Sequence, residues 1–206
     1  MADTKEKILC AALRLFAREG YTAASVSSIG AELGLSKGAL YRHYQNKRDI
    51  FDSILERMEQ LDRQRAEEFS LPLVSQPLSC RDPGLLQRLR DYTLEQFRRW
   101  TQEEFSACFR RLLTLEQYRS PELAALYQQY LAAGPLSYVA ALLRPWAGDQ
   151  AAAAGLALEF YAPMFLLYSL YDGGDPGRRQ APLLLRRHVD GFCHRLQAAG
   201  PAPDRP

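Results

Sequence analysis

The side chains best suited to chemistry lie between positions 36 and 47, where the chain reads SKGALYRHYQNK. Leu40 and Tyr44 are four residues apart, so on a helix they share one apolar stripe. The residues that fall mostly outside this stripe are polar or small: Lys37, Gly38, Tyr41, Arg42 and His43. Cations and hydroxyls can hold phosphates, and a DNA major groove about 12 Å wide admits one helix. The pattern therefore predicts a helix that enters the major groove.

The start of this helix is small, because Gly38 and Ala39 follow Lys37 directly. Small residues there allow the backbone to come close to the duplex, and the Ala39 methyl could touch a thymine methyl. Taken singly, each residue also fits an ordinary solvated helix with Tyr41 partly packed. The ordered combination favours DNA recognition over that simpler interpretation.

A second short helix is predicted just before this one. Ser27 is a suitable N-cap, and Ile29 and Leu33, four apart, give the helix one apolar face. Gly34 can adopt the left-handed backbone that closes a helix, and Ser36 can cap the next helix, Lys37 to Tyr44. Two short helices joined by so tight a turn are typical of a helix-turn-helix.

The remaining elements are also predicted to be helical. A helix from Thr4 to Glu19 is predicted to support the helix-turn-helix, and a long helix over 47–69 follows the helix-turn-helix. The proline-containing stretch LPLVSQPLSCRDPG then interrupts the pattern. Further helices are predicted over 84–101, 103–118, 121–146 with a break near Gly134-Pro135, 149–172 with a kink at Pro163, and 180–198. Residues 173–179 are predicted to be an exposed loop, and the fold class is all-α.

Composition excludes several classes of protein. The chain is 47% apolar and 24% charged, which is globular, and its first 50 residues hold eight Lys or Arg against five Asp or Glu. The four cysteines are scattered without a C-x-x-C pair, which favours a reducing cytoplasm over a disulfide framework. His188 and His194 do not share a face, so no metal site is predicted. The apolar stretch 151–171 contains Glu159 and Pro163, which favours a buried helix over a membrane span, and MADTKEK is not a secretory signal.

From Thr4 to about Leu55 the chain resembles the TetR family of transcriptional regulators, in ILCAALRLFAREGYTAASV and GLSKGALYRHYQNK. The resemblance implies an N-terminal DNA-binding domain over 1–46 and a helical effector-binding and dimerisation domain over 47–200, with 47–69 as its linking helix. The proline-containing end, 201–206, is expected to be a disordered tail. It places the opening of the recognition helix at base edges and tyrosine, histidine and lysine side chains on phosphates. The DNA-binding residues are thus expected to be Ser27, Ser36, Lys37, Gly38, Ala39, Tyr41, Arg42, His43 and Lys47.

The body after residue 47 is rich in aromatic side chains that could line an apolar effector cavity between helices. The candidate pocket residues are Tyr92, Trp100, Phe105, Cys108, Phe109, Tyr127, Tyr130 and Tyr138. Aromatics at helical spacing are more often ordinary core, so that alternative stays open. The expected ligand is a small apolar or amphipathic molecule, and no cofactor is expected.

Residues 156–171 are apolar on nearly all sides, more than a peripheral helix can bury in one small domain. The resemblance implies that this helix and the last one form a four-helix interface in a homodimer. The candidate interface residues are Phe160, Met164, Phe165, Tyr168, Leu184, Leu185, His188 and Phe192. A monomer that tucks these helices inward is the alternative.

Together these patterns predict a cytoplasmic, ligand-responsive repressor that binds a pseudo-palindromic operator in double-stranded DNA as a homodimer. The 47–69 helix would transmit ligand binding to the DNA-binding domain. Activation in place of repression stays open, as does a protein-interaction module with a vestigial DNA domain. An enzyme is disfavoured because the chain has no G-x-S-x-G, no phosphate-cradling glycine loop and no convincing acid and base set.

Overall fold

The computed structural model describes residues 2–72, 82 and 84–202, and every regular element in them is helical, as the sequence predicted. The described residues divide into two compact units. The first unit comprises Met1–Gln64 and Gln102–Tyr127, and the second comprises Arg65–Thr101 and Gln128–Pro206. The predicted domain boundary between residues 46 and 47 stays a prediction.

The N-terminal part of the chain contains four helices: α1 (Ala2–Glu19), α2 (Val26–Glu32), α3 (Lys37–Tyr41) and α4 (Lys47–Glu68). Ile8, Ala12, Leu15 and Phe16 are all buried, which confirms the predicted inward face of α1. Phe51, Ile54 and Met58 of α4 are buried too. These apolar side chains supply the core on which the two short helices lie.

The middle of the chain contains α5 (Leu85–Gln102), α6 (Glu104–Glu116), α7 (Pro121–Leu131) and α8 (Ala133–Leu143), followed by a short 3-10 turn (Arg144–Trp146). Helix α6 packs along α1 within the first unit. Its inward side chains include Phe109, Leu112 and Leu113, none of which is measurably exposed. The predicted break near Gly134-Pro135 occurs slightly earlier, at Ala132.

The C-terminal part contains α9 (Gln150–Tyr161), α10 (Pro163–Asp172) and α11 (Asp175–Ala199). At Pro163 the kink predicted from the sequence appears as a one-residue interruption between α9 and α10, because proline has no N–H to continue the ladder, while the backbone of the intervening Ala162 stays helical. The carbonyl of Phe160, near this interruption, accepts a hydrogen bond from His188 Nε2 at 3.1 Å. Helix α8 packs on α9 and α10 packs on α11, and the rings of Phe160 and Phe192 meet at 5.0 Å within this core.

Residues 150–172 are, among the described residues, long and apolar enough to span a membrane by length and composition. Core helices of globular proteins pass the same test. Here the stretch is divided into α9 and α10, and both helices pack on neighbours in the second unit. Only 33% of the most apolar part of this stretch is buried, so the prediction of a buried helix stays a prediction.

One prediction near the C-terminus needs correction. The loop predicted over 173–179 is wrong beyond Gly174, because α11 already begins at Asp175. An acidic residue and Pro176 occupy its first turn, where both favour a helix start. Within the predicted tail, the Ala202 N–H donates to the Pro145 carbonyl at 3.0 Å, whereas 203–206 lie outside the described residues. Most of the proline-containing stretch after α4 also lies outside them.

Candidate nucleic-acid interface

The first helix of the predicted reader, α2, is capped by a different serine from the one expected. Ser25 has an extended backbone and its Oγ accepts the Ser28 N–H at 3.0 Å, while Ser28 Oγ accepts the Ser25 N–H at 2.9 Å. This reciprocal pair is a capping box with serine in the usual place of glutamate. Ser27 is therefore not the N-cap but an exposed residue of the first turn, and its predicted DNA contact stays a prediction.

The turn between α2 and α3 forms as predicted. Gly34 has a φ of +64°, the left-handed backbone that closes α2, and the Leu35 N–H donates to the Gly30 carbonyl at 2.9 Å. Ser36 caps α3 by accepting the Ala39 N–H at 3.2 Å. These bonds satisfy backbone groups at both sides of the turn and so fix the angle between the two helices.

Helix α3 is shorter than predicted, because it ends at Tyr41 instead of Tyr44. The chain continues as a turn in which the Tyr44 N–H still bonds to the Leu40 carbonyl at 3.2 Å. The N-terminal cap of α4 begins directly after this turn. Asn46 Oδ1 accepts the Asp49 N–H at 3.0 Å, and Asp49 Oδ2 accepts the Gln45 N–H at 2.8 Å. Because residues 45 and 46 take part in the cap of α4, they cannot also extend α3, which ends at Tyr41.

The inward side of α3 is anchored by Leu40 and Tyr44, which are both buried as predicted. Burial raises the pKa of Tyr44 to about 12, and its hydroxyl donates to the Lys5 carbonyl of α1 at 3.3 Å. The ammonium of Lys5 lies 5.0 Å from the centre of the Tyr44 ring. Tyr44 thus joins α1 to the residues just after the recognition helix.

The outward side of α3 is positively charged and open. Ser36, Lys37, Gly38, Tyr41 and Arg42 are exposed, whereas Ala39 and His43 are half-buried. Within the described ranges, no carboxylate lies in ion-pair distance of Lys37 or Arg42. By contrast, Arg18 pairs with Glu32 at 2.9 Å and Arg48 pairs with Asp52 at 2.7 Å. The two free cations leave positive charge available for an external anion.

An aromatic ring accompanies these cations. Tyr41 keeps 44% of its surface exposed, and Lys37 Nζ lies 5.8 Å from its ring centre. A phenol ring beside an ammonium group in solvent offers both a hydrogen-bond donor and a flat contact surface. The arrangement can hold phosphate oxygens on one side while the small residues at the start of α3 approach the bases.

Lys47 has a different environment from that of the other predicted DNA-binding residues. Its Nζ donates to the carbonyls of Tyr21, Thr22 and Ala24 at 2.8, 3.3 and 3.0 Å. An ammonium group has three hydrogens, so these acceptors use all of them. Desolvation lowers the pKa of Lys47. The structure gives this lysine an internal role, holding the loop between α1 and α2, and its predicted contact with DNA stays a prediction.

The predicted pocket residues are divided between the two units. Phe105, Cys108, Phe109 and Tyr127 belong to the first unit, and Tyr92, Trp100, Tyr130 and Tyr138 to the second. Phe109 and Trp100 are closely packed core residues. Burial raises the pKa of Tyr138 to about 12, and its hydroxyl donates to the Pro72 carbonyl at 3.2 Å. Their assignment to an effector pocket stays a prediction.

The predicted interface residues are mostly covered by their own chain. Five of them are buried inside the second unit: Phe160, Met164, Tyr168, Leu185 and Phe192. Phe165 and Leu184 are 43% and 39% exposed, and His188 is half-buried. Leu158, Leu166 and Leu183 are more exposed still and were not among the predicted residues, because an apolar sequence does not reveal which side of its helix faces its own core. The assignment of the interface stays a prediction.

A helical chain with a capped helix-turn-helix and an open cationic recognition helix has the organisation of a helix-turn-helix DNA-binding protein. Residues 8–54 match the bacterial regulatory proteins of the tetR family. This match confirms, for the N-terminal part of the chain, the resemblance to the TetR family that the sequence predicted.

Curated relatives match part of the chain. The HTH-type transcriptional regulator AcrR of Shigella flexneri is 32% identical over 101 residues, which cover 49% of this chain and 47% of AcrR. The chain spans about half the length of AcrR, and less of the other curated relatives that it matches.

Two solved structures share the fold over nearly the whole chain. The structure of SmeT, a repressor from Stenotrophomonas maltophilia, in complex with triclosan has a TM-score of 0.61 at 22% identity and covers 97% of this chain and 92% of SmeT. A transcriptional regulator from Rhodococcus sp. Rha1 has a TM-score of 0.62 at 17% identity, with 97% and 99% covered.

Proposed function

We propose that the protein is a transcriptional repressor that binds a pseudo-palindromic operator as a homodimer and releases it when a small ligand binds. The observation that carries DNA binding is the outward side of α3, where Lys37 and Arg42 are exposed and unpaired beside Tyr41. Regulation of transcription is the activity for which the relatives are named, and BepR of Brucella suis is named a repressor. A cytoplasmic location follows from this function.

The dimer is supported by an exposed stripe along α9 and α10. Its six residues recur at helical spacing and carry no charge: Ala151, Gly155, Leu158, Ala162, Phe165 and Ser169. Leu184 is also exposed, on α11, which packs against α10. A partner copy would cover the stripe through a two-fold interface, since most homo-oligomers are built with such symmetry. Two recognition helices about 34–36 Å apart would then read successive major grooves.

The ligand is proposed to be a small apolar or amphipathic molecule that binds the helical body. SmeT is a structural neighbour that binds triclosan, which supports this class of ligand for the present chain. A ligand regulates only through its difference in affinity between DNA-competent and DNA-incompetent states, commonly about 1–3 kcal/mol. Helix α4 is continuous from the first unit into the second and would carry the change.

The test is DNA binding by the purified protein and its Tyr41→Ala variant. Fluorescence anisotropy with the DNA upstream of its own gene, against a scrambled duplex, measures both affinity and specificity. We expect two subunits per site and an affinity that falls steeply with salt, because bound cations release counterions from DNA. Loss of the Tyr41 contact should weaken binding about 5- to 30-fold, corresponding to about 1–2 kcal/mol.

Tyr118→Ala is the matched control, because Tyr118 is 89% exposed in the same unit but lies outside α3. It should leave the operator affinity unchanged. Equal affinities of the wild type and the Tyr41 variant would contradict the assignment of α3 as the recognition helix. If the protein does not prefer the upstream DNA, binding sites would be selected from genomic fragments. If no fragment is bound specifically, the proposed function is contradicted.

A further inference from the structure

The loop between α1 and α2, residues 20–25, is held by two charged side chains from distant parts of the first unit. Lys47 of α4 binds its carbonyl groups, as described above. Glu116, the last residue of α6, binds an amide of the same loop: its Oε1 accepts the Tyr21 N–H at 3.3 Å. In the part of the chain that the structure describes, no other acceptor for this N–H is found. The loop is thus held through both its donors and its acceptors.

The carboxylate of Glu116 is unusually well enclosed. Its side chain is only 3% exposed, and Arg119 Nη1 lies 3.3 Å from the same Oε1. A buried carboxylate is costly unless it is paired and hydrogen-bonded. Here the Tyr21 amide and the Arg119 guanidinium supply those partners, so the carboxylate has a defined position.

The neighbouring backbone fits this carboxylate closely. Gly20 has a φ of +90°, and a Cβ built on it would lie 2.4 Å from Glu116 Oε1. Any other residue at this position would combine an unfavourable backbone with a steric clash against the carboxylate. Gly20 therefore serves both as the end of α1 and as the space that admits the α6 side chain.

The held loop leads directly into the DNA-reading helices. The Tyr21 ring contacts Phe16 of α1 at 5.2 Å and Phe51 of α4 at 5.0 Å between ring centres. Four residues later Ser25 caps α2, and the Gly30 to Leu35 bond then sets the start of α3. A shift of Tyr21 would consequently be passed to the recognition helix through a short, hydrogen-bonded segment.

We propose that Glu116 is a positioning residue for DNA binding: by holding the Tyr21 N–H, it fixes where α2 and α3 begin. This inference rests on the proposed function. It makes α6 part of the DNA-reading apparatus, although α6 lies far along the chain from the helix-turn-helix. Glu116 touches the loop and not the DNA, so its effect on affinity is indirect.

The experiment compares Glu116→Ala, which removes the acceptor, with Glu116→Gln, which keeps an amide oxygen at the same reach. Operator affinity is measured by anisotropy at 25 °C, with circular dichroism to establish that each variant is folded. We expect Glu116→Ala to weaken operator binding by at most about 10- to 150-fold, the factor that a hydrogen bond to a charged group is worth. Glu116→Gln should restore most of the affinity, because its amide oxygen can still accept the Tyr21 N–H. Glu116→Asp, which withdraws the oxygen by one methylene, replaces the alanine variant if that variant does not fold.

Two further readouts separate positioning from general stability. Amide hydrogen exchange at Tyr21 should be faster in Glu116→Ala than in the wild type and in Glu116→Gln. Glu104→Ala is the control on the same helix, because Glu104 pairs at the surface with Arg14 at 3.2 Å. It should alter neither Tyr21 exchange nor operator affinity.

The outcomes distinguish this inference from the proposed function. If the wild type binds its operator and a folded Glu116→Ala binds equally well, the positioning role is refuted while the function stands. A lower unfolding temperature with unchanged affinity would likewise reduce Glu116 to a stabilising residue. If the wild type itself binds no operator, the proposed function fails and the positioning role falls with it.

Discussion

Leu158→Ala tests the proposed dimer most directly, because Leu158 lies in the middle of the exposed stripe on α9 and α10. The side chain is 56% exposed in the single chain. Full burial of a leucine stabilises by about 1.5–3 kcal/mol, so covering the exposed part would contribute about 0.8–1.7 kcal/mol per subunit. A two-fold interface contains the residue twice, which gives about 1.7–3.4 kcal/mol for the dimer. The dimer dissociation constant should therefore rise about 15- to 250-fold.

Sedimentation velocity over a dilution series measures this constant without reference to DNA. Leu183→Ala is the matched control, because Leu183 is 69% exposed on α11 but lies about 100° around the helix from Leu184. Only the Leu158 variant should dissociate at higher concentration than the wild type. The reasoning is refuted if the wild type is a monomer, if the Leu158 variant dimerises normally, or if both variants weaken the dimer equally.

Three further predictions concern the helices themselves. Ser25→Ala should lower the free energy of unfolding by about 0.5–2 kcal/mol in urea titrations because it removes the cap of α2, whereas Ser27→Ala should leave it unchanged; the reverse order would restore Ser27 as the cap. Gly38→Ala should raise the unfolding temperature, since alanine is the better helix former by about 1 kcal/mol and the added Cβ meets nothing within 4 Å. The same Cβ should weaken operator binding, because it would lie between α3 and the duplex. Unaltered operator affinity would show that this end of α3 does not approach the DNA closely. Hydrogen bonding from Arg98 lowers the pKa of Glu95 from 4.5 to about 2, so its stabilisation is present above pH 4.5 and is lost as the pH falls toward 2. The stability difference between wild type and Glu95→Gln, on the order of 1 kcal/mol, should shrink over that interval in urea titrations; a difference that is independent of pH would contradict the ion pair.

The sequence predicted the helices and the turn of the reader because their determinants are local. Leu40 and Tyr44 share a stripe, Gly34 needs a left-handed backbone, and Ser36 precedes a helix, so a few neighbouring residues decide each feature. The cap of α2 was assigned to the wrong serine for a local reason as well. Ser25 and Ser27 both precede the helix and could each cap it. Only Ser25 has a serine, Ser28, three residues later with which it can form a reciprocal pair.

The contacts of Lys47 and Glu116 could not be predicted in the same way. The Lys47 ammonium binds carbonyls 23 to 26 residues earlier in the chain, and Glu116 binds an amide 95 residues earlier. Neither side chain carries a local signal of its partner. A charged residue at a helix end looks the same in the sequence whether it faces solvent, DNA or a distant loop, so tertiary packing alone decides its role.

The division of the chain affects how the protein is made. The first unit is discontinuous: its helix-turn-helix is synthesised early, but α6 comes from a segment that ends at Tyr127. At about 5–20 residues per second, synthesis from residue 64 to residue 127 takes roughly 3–13 s. During that interval the apolar side of α1 that α6 covers is exposed, and the Tyr21 amide lacks its carboxylate. A nascent chain therefore lacks the α6 contacts of its helix-turn-helix until about residue 127 has been made, which would delay the proposed binding to DNA.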